Sequence, residues 1–265
     1  MTLSKTCQTP GPDRPRSLLP ALVSGFSLLS SPGVADDWNI GLGAGMISAP
    51  LYLGAEDYQV RLLPAVDFAY RNRVFFNFYE GLSAYLHNRG DFRLKAGIAY
   101  QPGRDQDDDE SLQGTGDIGD AAVYNLGAEY QLGLYTAFVS LRQHDGGTDG
   151  RQLHAGIQAF YALREERTSP RLLFNLTVNY SDEKFMQGYF GVDSEQSAAS
   201  GLPVYSADAG IASVRAGATG FYPLTRYWRI TAILQYRKLV GDAADSPLVL
   251  DEDQLFGGIF AGYRF

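Results

Sequence analysis

Residues 172–180, Leu-Leu-Phe-Asn-Leu-Thr-Val-Asn-Tyr, alternate between two kinds of side chain. The even positions are all apolar or aromatic, whereas Asn175, Thr177 and Asn179 stand at odd positions. A period of two predicts a β-strand with one apolar and one polar face. The stretch is also long, because a tilted membrane strand needs ~9–11 residues and an average strand of a soluble protein has ~5–6. This segment therefore indicates a strand that crosses a membrane.

The same alternation recurs along most of the chain. Eleven such segments, most of them 10–14 residues long, lie at about 39–48, 58–70, 73–86, 91–101, 120–131, 133–145, 150–163, 171–181, 208–222, 226–239 and 254–265. A bacterial single-chain barrel has an even number of strands, so one strand must be merged or missed, most readily between residues 49 and 90. The sequence predicts an all-β fold, a transmembrane antiparallel up-and-down β-barrel of 12 strands, with 10 strands as the alternative.

The connections between these segments alternate in length. Short turns fall at 131–133, 164–170 and 223–226, and long polar loops fall at 102–119, 143–150, 182–207 and 240–253. Outer-membrane barrels have short periplasmic turns and longer outer loops, so the long loops are predicted to lie outside the cell.

The last segment, 255–265, alternates and ends on an aromatic residue. Such a final strand is the signal that the barrel assembly machinery reads. We therefore predict an assembly signal whose residues are Tyr263 and Phe265.

The composition is compatible with a barrel and excludes a helical membrane protein. Hydrophobic residues make up 45% of the chain and charged residues 20%. After residue 35 no apolar run approaches the ~18 residues that a spanning helix needs. In a barrel only every second strand residue faces lipid, so an average composition like this one is expected. The 30 Gly, 17 Tyr and 15 Phe fit tight hairpins and aromatic belts.

The N-terminus has the three parts of a secretory signal peptide. Basic residues precede an apolar core at 18–29, and Gly33-Val34-Ala35 supplies small residues for cleavage. We predict that residues 1–35 are removed and that residues 36–265 form the barrel. The only cysteine, Cys7, lies in the predicted leader, so no disulfide is expected. The leader carries a net charge of +2, so the formal charge of −8 becomes −10, which disfavours nucleic acid as a partner.

The predicted inward faces of the strands are rich in basic residues. The candidate lumen-lining residues are Arg61, Arg93, Lys95, Arg142, His144, His154, Arg215, Arg229 and Arg237. Arg264 is also predicted to face inward, whereas the only acidic residues predicted to face inward are Asp67 and Glu129. A charge inside a strand is costly unless it is paired or hydrated. Two interpretations follow: a plug of hydrogen-bonded polar side chains, or a narrow path that prefers anions.

Nothing in the sequence indicates an enzyme or a cofactor. The chain has only three histidines, and Ser140 lies about 13 Å along its strand from His144, too far for a nucleophile and its base. The acidic run at 105–110 has the oxygen ligands that a divalent cation prefers, but it lacks the spacing of a calcium loop. We expect it to be a solvated loop, and we predict no catalytic residue, metal or cofactor.

Four stretches carry a family resemblance. They are 49–58 (APLYLGAEDY), 188–192 (GYFGV), 198–205 (AASGLPVY) and 237–249 (RKLVGDAADSPLV). In these stretches, and over essentially the whole chain after the leader, the protein resembles the MltA-interacting protein (MipA)/OmpV family.

The resemblance implies a non-enzymatic barrel in the outer membrane of a Gram-negative bacterium, in contact with lipid and lipopolysaccharide. It also implies a scaffold that links a lytic transglycosylase to a penicillin-binding protein. Other members are described as porin-like or adhesive, so a small-solute channel and a surface adhesin are the alternatives. A scaffold would use its periplasmic turns, which are predicted to be short here.

Overall fold

A computed structural model describes residues 38–78, 80–163 and 169–265. The predicted signal peptide lies outside these ranges. The described residues form one closed sheet of twelve strands. In chain order the strands are β1 (Trp38–Pro50), β2 (Tyr58–Tyr70), β3 (Val74–Asn77), β4 (Gly81–Arg89), β5 (Phe92–Gln101), β6 (Ala121–Leu132), β7 (Tyr135–Gly146), β8 (Arg151–Ala162), β9 (Arg171–Ser181), β10 (Gly210–Pro223), β11 (Trp228–Leu239) and β12 (Asp253–Arg264). None of the helices in the described ranges is long and apolar enough to span a membrane.

Each strand pairs antiparallel with its neighbours in the chain, and the first strand pairs with the last. The β1–β12 seam runs from Gly41 opposite Arg264 to Ser48 opposite Gly257. The prediction of a twelve-stranded up-and-down barrel is confirmed.

One of the eleven segments contains two strands. The segment predicted at 73–86 divides into β3 and β4, and the described residues Phe78 and Glu80 between them are in a turn conformation. The side-chain oxygen of Asn77 accepts a hydrogen bond from the backbone N–H of Glu80 at 2.8 Å and closes this turn. Gly81 follows with a φ of +66°, a conformation that glycine adopts readily. The missing strand therefore lies between residues 49 and 90, as the strand count predicted.

The two faces of the wall differ as a period of two requires. On β9, Thr177, Asn179 and Ser181 are buried, whereas Leu176 and Val178 are exposed. In a transmembrane barrel such exposed apolar side chains face lipid. Aromatic residues stand near both ends of the lipid-facing surface. The outer belt includes Tyr100, Tyr124, Tyr180 and Tyr236, and the periplasmic belt includes Trp38, Tyr130, Tyr222 and Trp228.

The outer loops fold into ordered structure, which we call the cap. The β9–β10 loop contains α1 (Glu183–Phe190) and α2 (Ser194–Ser200), whose first turns are capped by the side chains of Asp182 and Asp193. The loops at 102–120 and 240–252 contain short 3₁₀ turns. The prediction of a long loop at 143–150 was wrong, because β7 and β8 extend into it and leave only 147–150 between them.

The cap crosses the seam between the first and last strands. The loop at 51–57 follows β1, and the loop at 240–252 precedes β12. The backbone N–H groups of Leu250 and Asp251 both donate to the carbonyl oxygen of Gly54, at 2.8 and 3.0 Å. The Tyr52 hydroxyl donates to the carbonyl oxygen of Leu248 at 3.1 Å. These contacts tie the two loops together above the seam.

Candidate functional site

The lumen holds a network of four charged side chains beside β5 and β6. Arg93 Nε lies 3.1 Å from a carboxylate oxygen of Glu129. Lys95 Nζ lies 3.1 Å from the other oxygen of Glu129 and 2.9 Å from Glu80. All four side chains are largely buried, so each cation has its charge opposed within the lumen. The turn residue Glu80, which was not predicted as a lumen residue, completes the network.

A second buried group lies on the opposite side of the lumen, around Arg215. Its Nη2 donates to the side-chain oxygen of Asn179 at 3.1 Å and lies 3.5 Å from His154 Nδ1. Asn179 in turn donates to the Ser213 hydroxyl at 2.7 Å. The contacts with Asn179 and His154 hold the guanidinium in one orientation.

The remaining candidate residues are spread along the lumen. His144 is buried, lies 3.3 Å from Gln152 through Nε2 and packs against the ring of Phe185 in the cap. Arg229 lies 5.4 Å from the centre of the Phe221 ring. Arg142 and Arg237 lie on the inward faces of β7 and β11 and are half-buried.

Arg61 differs from the other candidates. Its place in the alternation of β2 puts it on the inward face, but its side chain is exposed and donates to Gln59 Oε1 at 2.5 Å. The structure therefore brings Arg93 and Lys95 together, and His154 with Arg215, whereas Arg61 stands apart at the outer end of β2.

The cap has an apolar interior of two clusters. One contains Phe185, Met186, Phe190 and Leu239, and the other contains Tyr52, Leu112, Val192 and Leu248. These residues come from loops on different sides of the barrel, so the loops meet over its outer end. Polar contacts join them as well: the Ser246 hydroxyl donates to the carbonyl oxygen of Phe190 at 2.6 Å.

Arg104 anchors one side of the cap. It is buried, donates to the carbonyl oxygen of Tyr189 at 3.0 Å and lies 5.3 Å from the centre of the Tyr189 ring. Desolvation lowers the pKa of Arg104 and raises the pKa of Tyr189. The raised pKa keeps the Tyr189 phenol neutral, so the guanidinium lies against an uncharged ring.

The two ends of the barrel carry opposite charge. The outer loops and strand ends are acidic, with Asp105, Asp107, Asp109, Asp117, Asp145, Asp149, Asp193, Asp208, Asp245 and Asp251 among their residues. Among the described residues, the periplasmic turns expose Arg71, Arg73, Arg89 and Arg226 and one acid, Asp91. An excess of acids at the outer end and of cations in these turns gives the described residues an electrical polarity.

The acidic run at 105–110 serves local structure. Asp105 accepts the backbone N–H of Asp107, and Asp109 accepts that of Ser111, so both cap short 3₁₀ turns. Across residues 38–78, 80–163 and 169–265, no group of three or more His, Cys, Asp or Glu side chains could hold a metal ion.

The sequence analysis missed the cap, although the chain contains two signals for it. Phe185, Met186 and Phe190 are large apolar residues within a polar loop. Asp182 and Asp193 each stand directly before a short helix, which is the preferred N-cap position. Apolar residues at helical spacing after an N-cap residue indicate a helix whose apolar face packs against the rest of the protein.

Together these features define a class. A closed twelve-stranded barrel with a lipid-facing apolar wall, two aromatic belts and short turns at one end is an outer-membrane β-barrel of a Gram-negative bacterium. Residues 42–265 match the family model described as MltA-interacting protein MipA, and the chain belongs to this family.

Further comparisons found a sequence relative and solved structures that are similar to the chain. The chain is 26% identical over 187 residues to outer membrane protein OmpV of Vibrio cholerae, an alignment that covers 71% of this chain and 69% of that protein. Among solved structures, OmpT of Vibrio cholerae is 10% identical with a TM-score of 0.37, covering 87% of this chain and 98% of its own. OprD of Pseudomonas aeruginosa is 10% identical with a TM-score of 0.39, covering 86% and 65% respectively.

Proposed function

We propose that the barrel is a non-enzymatic scaffold that holds cell-wall enzymes, a lytic transglycosylase and a penicillin-binding protein, at the outer membrane. The observation that carries the proposal is the covered outer end together with the buried ion pairs of the lumen. A cap with its own apolar clusters lies over the outer end, and ion-paired side chains line the lumen below it on β5 and β6. This construction suits a rigid membrane anchor better than an open pore. The description of the family as MltA-interacting supports the same assignment.

The periplasmic rim is the surface that such a scaffold would present to its partners. The turns there are short, so the rim offers charge and little extended structure. Among the described residues of the rim, the exposed side chains of Arg71, Arg73, Arg89 and Arg226 outnumber the exposed acids. Complementary charge accelerates association and sets specificity more than it adds affinity. We therefore expect the partners to dock through an acidic surface.

A pull-down from detergent-solubilised membranes tests the proposal. Cell-wall hydrolases or synthases should co-purify with the native protein and should be lost from the Arg73→Glu/Arg89→Glu variant. The matched control, Arg151→Glu/Lys184→Glu, reverses two exposed cations at the outer end and should retain the partners. If no such enzyme co-purifies with the native protein, the scaffold proposal fails. If both variants retain the partners equally, the rim is not the docking surface.

A small-solute channel is the second candidate, and the excess of inward cations favours it. Fixed positive charge in a narrow pore raises the local concentration of anions. If the purified protein conducts in planar bilayers, its current should be anion-selective, and Arg142→Glu/Arg229→Glu should shift the reversal potential toward cations. We expect silent bilayers, because the cap and the buried networks fill the path. Steady cation-selective current from the native protein would contradict both the inward assignments and the scaffold.

A further inference from the structure

The barrel wall is incomplete on one side. β3 has only four residues, and β2 pairs with it only through Phe68–Tyr70. Within the described part of the chain, residues 58–67 of β2 pair with β1 alone. On the other side, β5 pairs with β4 up to Ile98, and residues 99–101 pair with β6 alone. We call the space between upper β2 and upper β5 the wall gap. Three inter-strand spacings of ~4.8 Å separate β2 from β5, so the edges of the gap stand about 14 Å apart.

The short hairpin below the wall gap is fixed from inside the barrel. Besides the Asn77 contact, the Ser83 hydroxyl donates to the carbonyl oxygen of Glu80 at 3.2 Å. The Glu80 carboxylate reaches into the lumen, where Lys95 Nζ donates to both of its oxygens at 2.9 and 3.0 Å. A buried ion pair at the turn holds the hairpin at this height, so the gap is part of the fold.

The wall gap opens toward the outer leaflet. Tyr100, a residue of the outer aromatic belt, stands on the β5 edge. On the β2 edge, Val60 and Leu62 are 70% and 77% exposed, the highest values among the strand residues that face lipid. They are exposed because no strand stands beside them. Acyl chains of outer-leaflet lipids therefore lie directly against the opening.

Part of the lumen behind the wall gap is apolar, between the inward residues Arg61 and Asp67 of β2. Ala65 and Phe260 form a buried cluster against which Ile47, Leu63 and Ile233 pack. A Cβ on Gly45 would lie 2.3 Å from the Phe260 ring, so this glycine lets the ring lie flat against the wall. The cluster begins on β2 at the edge of the gap, and Ile47, Leu63 and Ile233 are only half-buried.

Two residues on the β2 edge oppose the addition of another strand. Pro64 has no N–H to donate to a partner strand, and Arg61 places an exposed charge beside the open edge. Proline and charged side chains are devices that keep an edge strand from pairing. The edge is therefore unsuited to a peptide and compatible with a lipid.

We propose that the wall gap is a lateral entrance that takes one acyl chain of an anionic outer-leaflet lipid. The chain lies on the apolar cluster of Ile47, Leu63 and Phe260. Arg61, whose exposed side chain stands at the outer end of β2, binds the anionic headgroup.

Photo-crosslinking of the full-length native protein in vesicles tests this site. The probe is a phosphatidylglycerol with a diazirine near the end of one acyl chain, and the comparison probe is the matching phosphatidylcholine. Mass spectrometry should place adducts on the inward residues Ile233 and Phe260 as well as on the outward residues Leu234 and Ile259. Arg61→Glu should lower the inward adducts about fivefold, because an exposed ion pair is worth up to ~1 kcal/mol. Arg151→Glu, also at the outer end, should leave them unchanged.

A second variant tests the cavity without touching charge. Ala65→Phe should fill the apolar cluster and remove inward adducts from both probes, in a protein that remains heat-modifiable on a gel. Adducts confined to outward residues in the native protein would overturn the entrance. Equal inward labelling by both probes would overturn the role of Arg61. Inward labelling by a diazirine fatty acid, without labelling by the phospholipid, would show that the site binds a free fatty acid and would overturn the anionic lipid as its ligand.

Discussion

The two ends of this barrel are built by different means. The outer end is a folded cap with an apolar interior, helices and an acidic surface, whereas the periplasmic end is a ring of short turns with exposed arginines. Burial of apolar side chains stabilises a structure in proportion to the area removed from water. The outer end should therefore carry much of the stability that lies outside the wall, and the periplasmic end should tolerate change and be free to bind.

The largest difference is expected between the cap interior and a periplasmic turn. Phe190→Ala removes a fully buried ring, which costs about 3–5 kcal/mol at such sites. Leu134→Ala, in the exposed β6–β7 turn, should change stability by less than about 0.5 kcal/mol. Proteolysis of the outer loops across a urea series, in vesicles, measures the stability of the cap. Similar losses in the two variants would remove the contrast between the ends.

A second comparison sets the middle of the wall against its periplasmic end. Leu176 faces lipid in the middle of β9, so Leu176→Arg should cost about 2–4 kcal/mol of the free energy of unfolding. Leu132 faces lipid at the periplasmic end of β6, where an arginine should cost only about 0–1 kcal/mol. Reversible unfolding in vesicles gives both values. A tolerated arginine at 176 would show that β9 does not cross the membrane as described.

One periplasmic residue should matter for assembly more than for stability. Phe265 is exposed, and its backbone N–H donates to the carbonyl oxygen of Ile40 at 3.1 Å while its ring meets Tyr263. Deleting Phe265 should reduce the amount of protein inserted in the outer membrane severalfold and leave export into the periplasm intact. Cell fractionation and heat-modifiability on gels measure this, with Phe265→Tyr as the control. Normal insertion of the deletion variant would show that the terminal strand is not read as predicted.

The smallest effect on stability is expected for a surface ion pair at the outer end, because not every contact there stabilises the fold. Lys238 bridges Glu252 at 2.7 Å and Asp253 at 3.3 Å, but these side chains are exposed. An exposed ion pair contributes little because solvent screens it, so Lys238→Met should be nearly neutral in the same vesicle assay. A loss comparable with that of Phe190→Ala would mean that surface charge, and not apolar packing, holds the outer end together.

The fold could be predicted because a barrel wall repeats one rule along every strand. β9 shows this most clearly, since lipid on one side and lumen on the other impose strict alternation. The β3–β4 turn was hidden for the same reason: the period of two continues across it, and residues 78–80 contain no glycine or proline. The turn is held by Asn77 and by a buried ion pair to Lys95, a contact that no local pattern indicates.

The candidate site was harder to predict than the fold. Alternation indicates which residues point inward, but it does not indicate which of them meet across the barrel. Glu80 joins Lys95 only because β3 is short, and Arg61 is exposed for the same reason. The cap depends on contacts between loops far apart in the chain, such as Tyr52 with Leu248 at a separation of 196 residues. Contacts of this kind depend on three-dimensional packing and leave no periodic signal.

The contacts that cross the seam above β1 and β12 also bear on the order of assembly. Leu250 and Asp251 can reach Gly54 only after the first and last strands have met, since these loops flank the seam. The cap joins loops that follow different strands, so it can be complete only when all of these loops have reached the outer side. We therefore expect the cap to form last and to act as a latch. Reopening the seam would then require the cap to unfold first, which makes barrel closure slow to reverse.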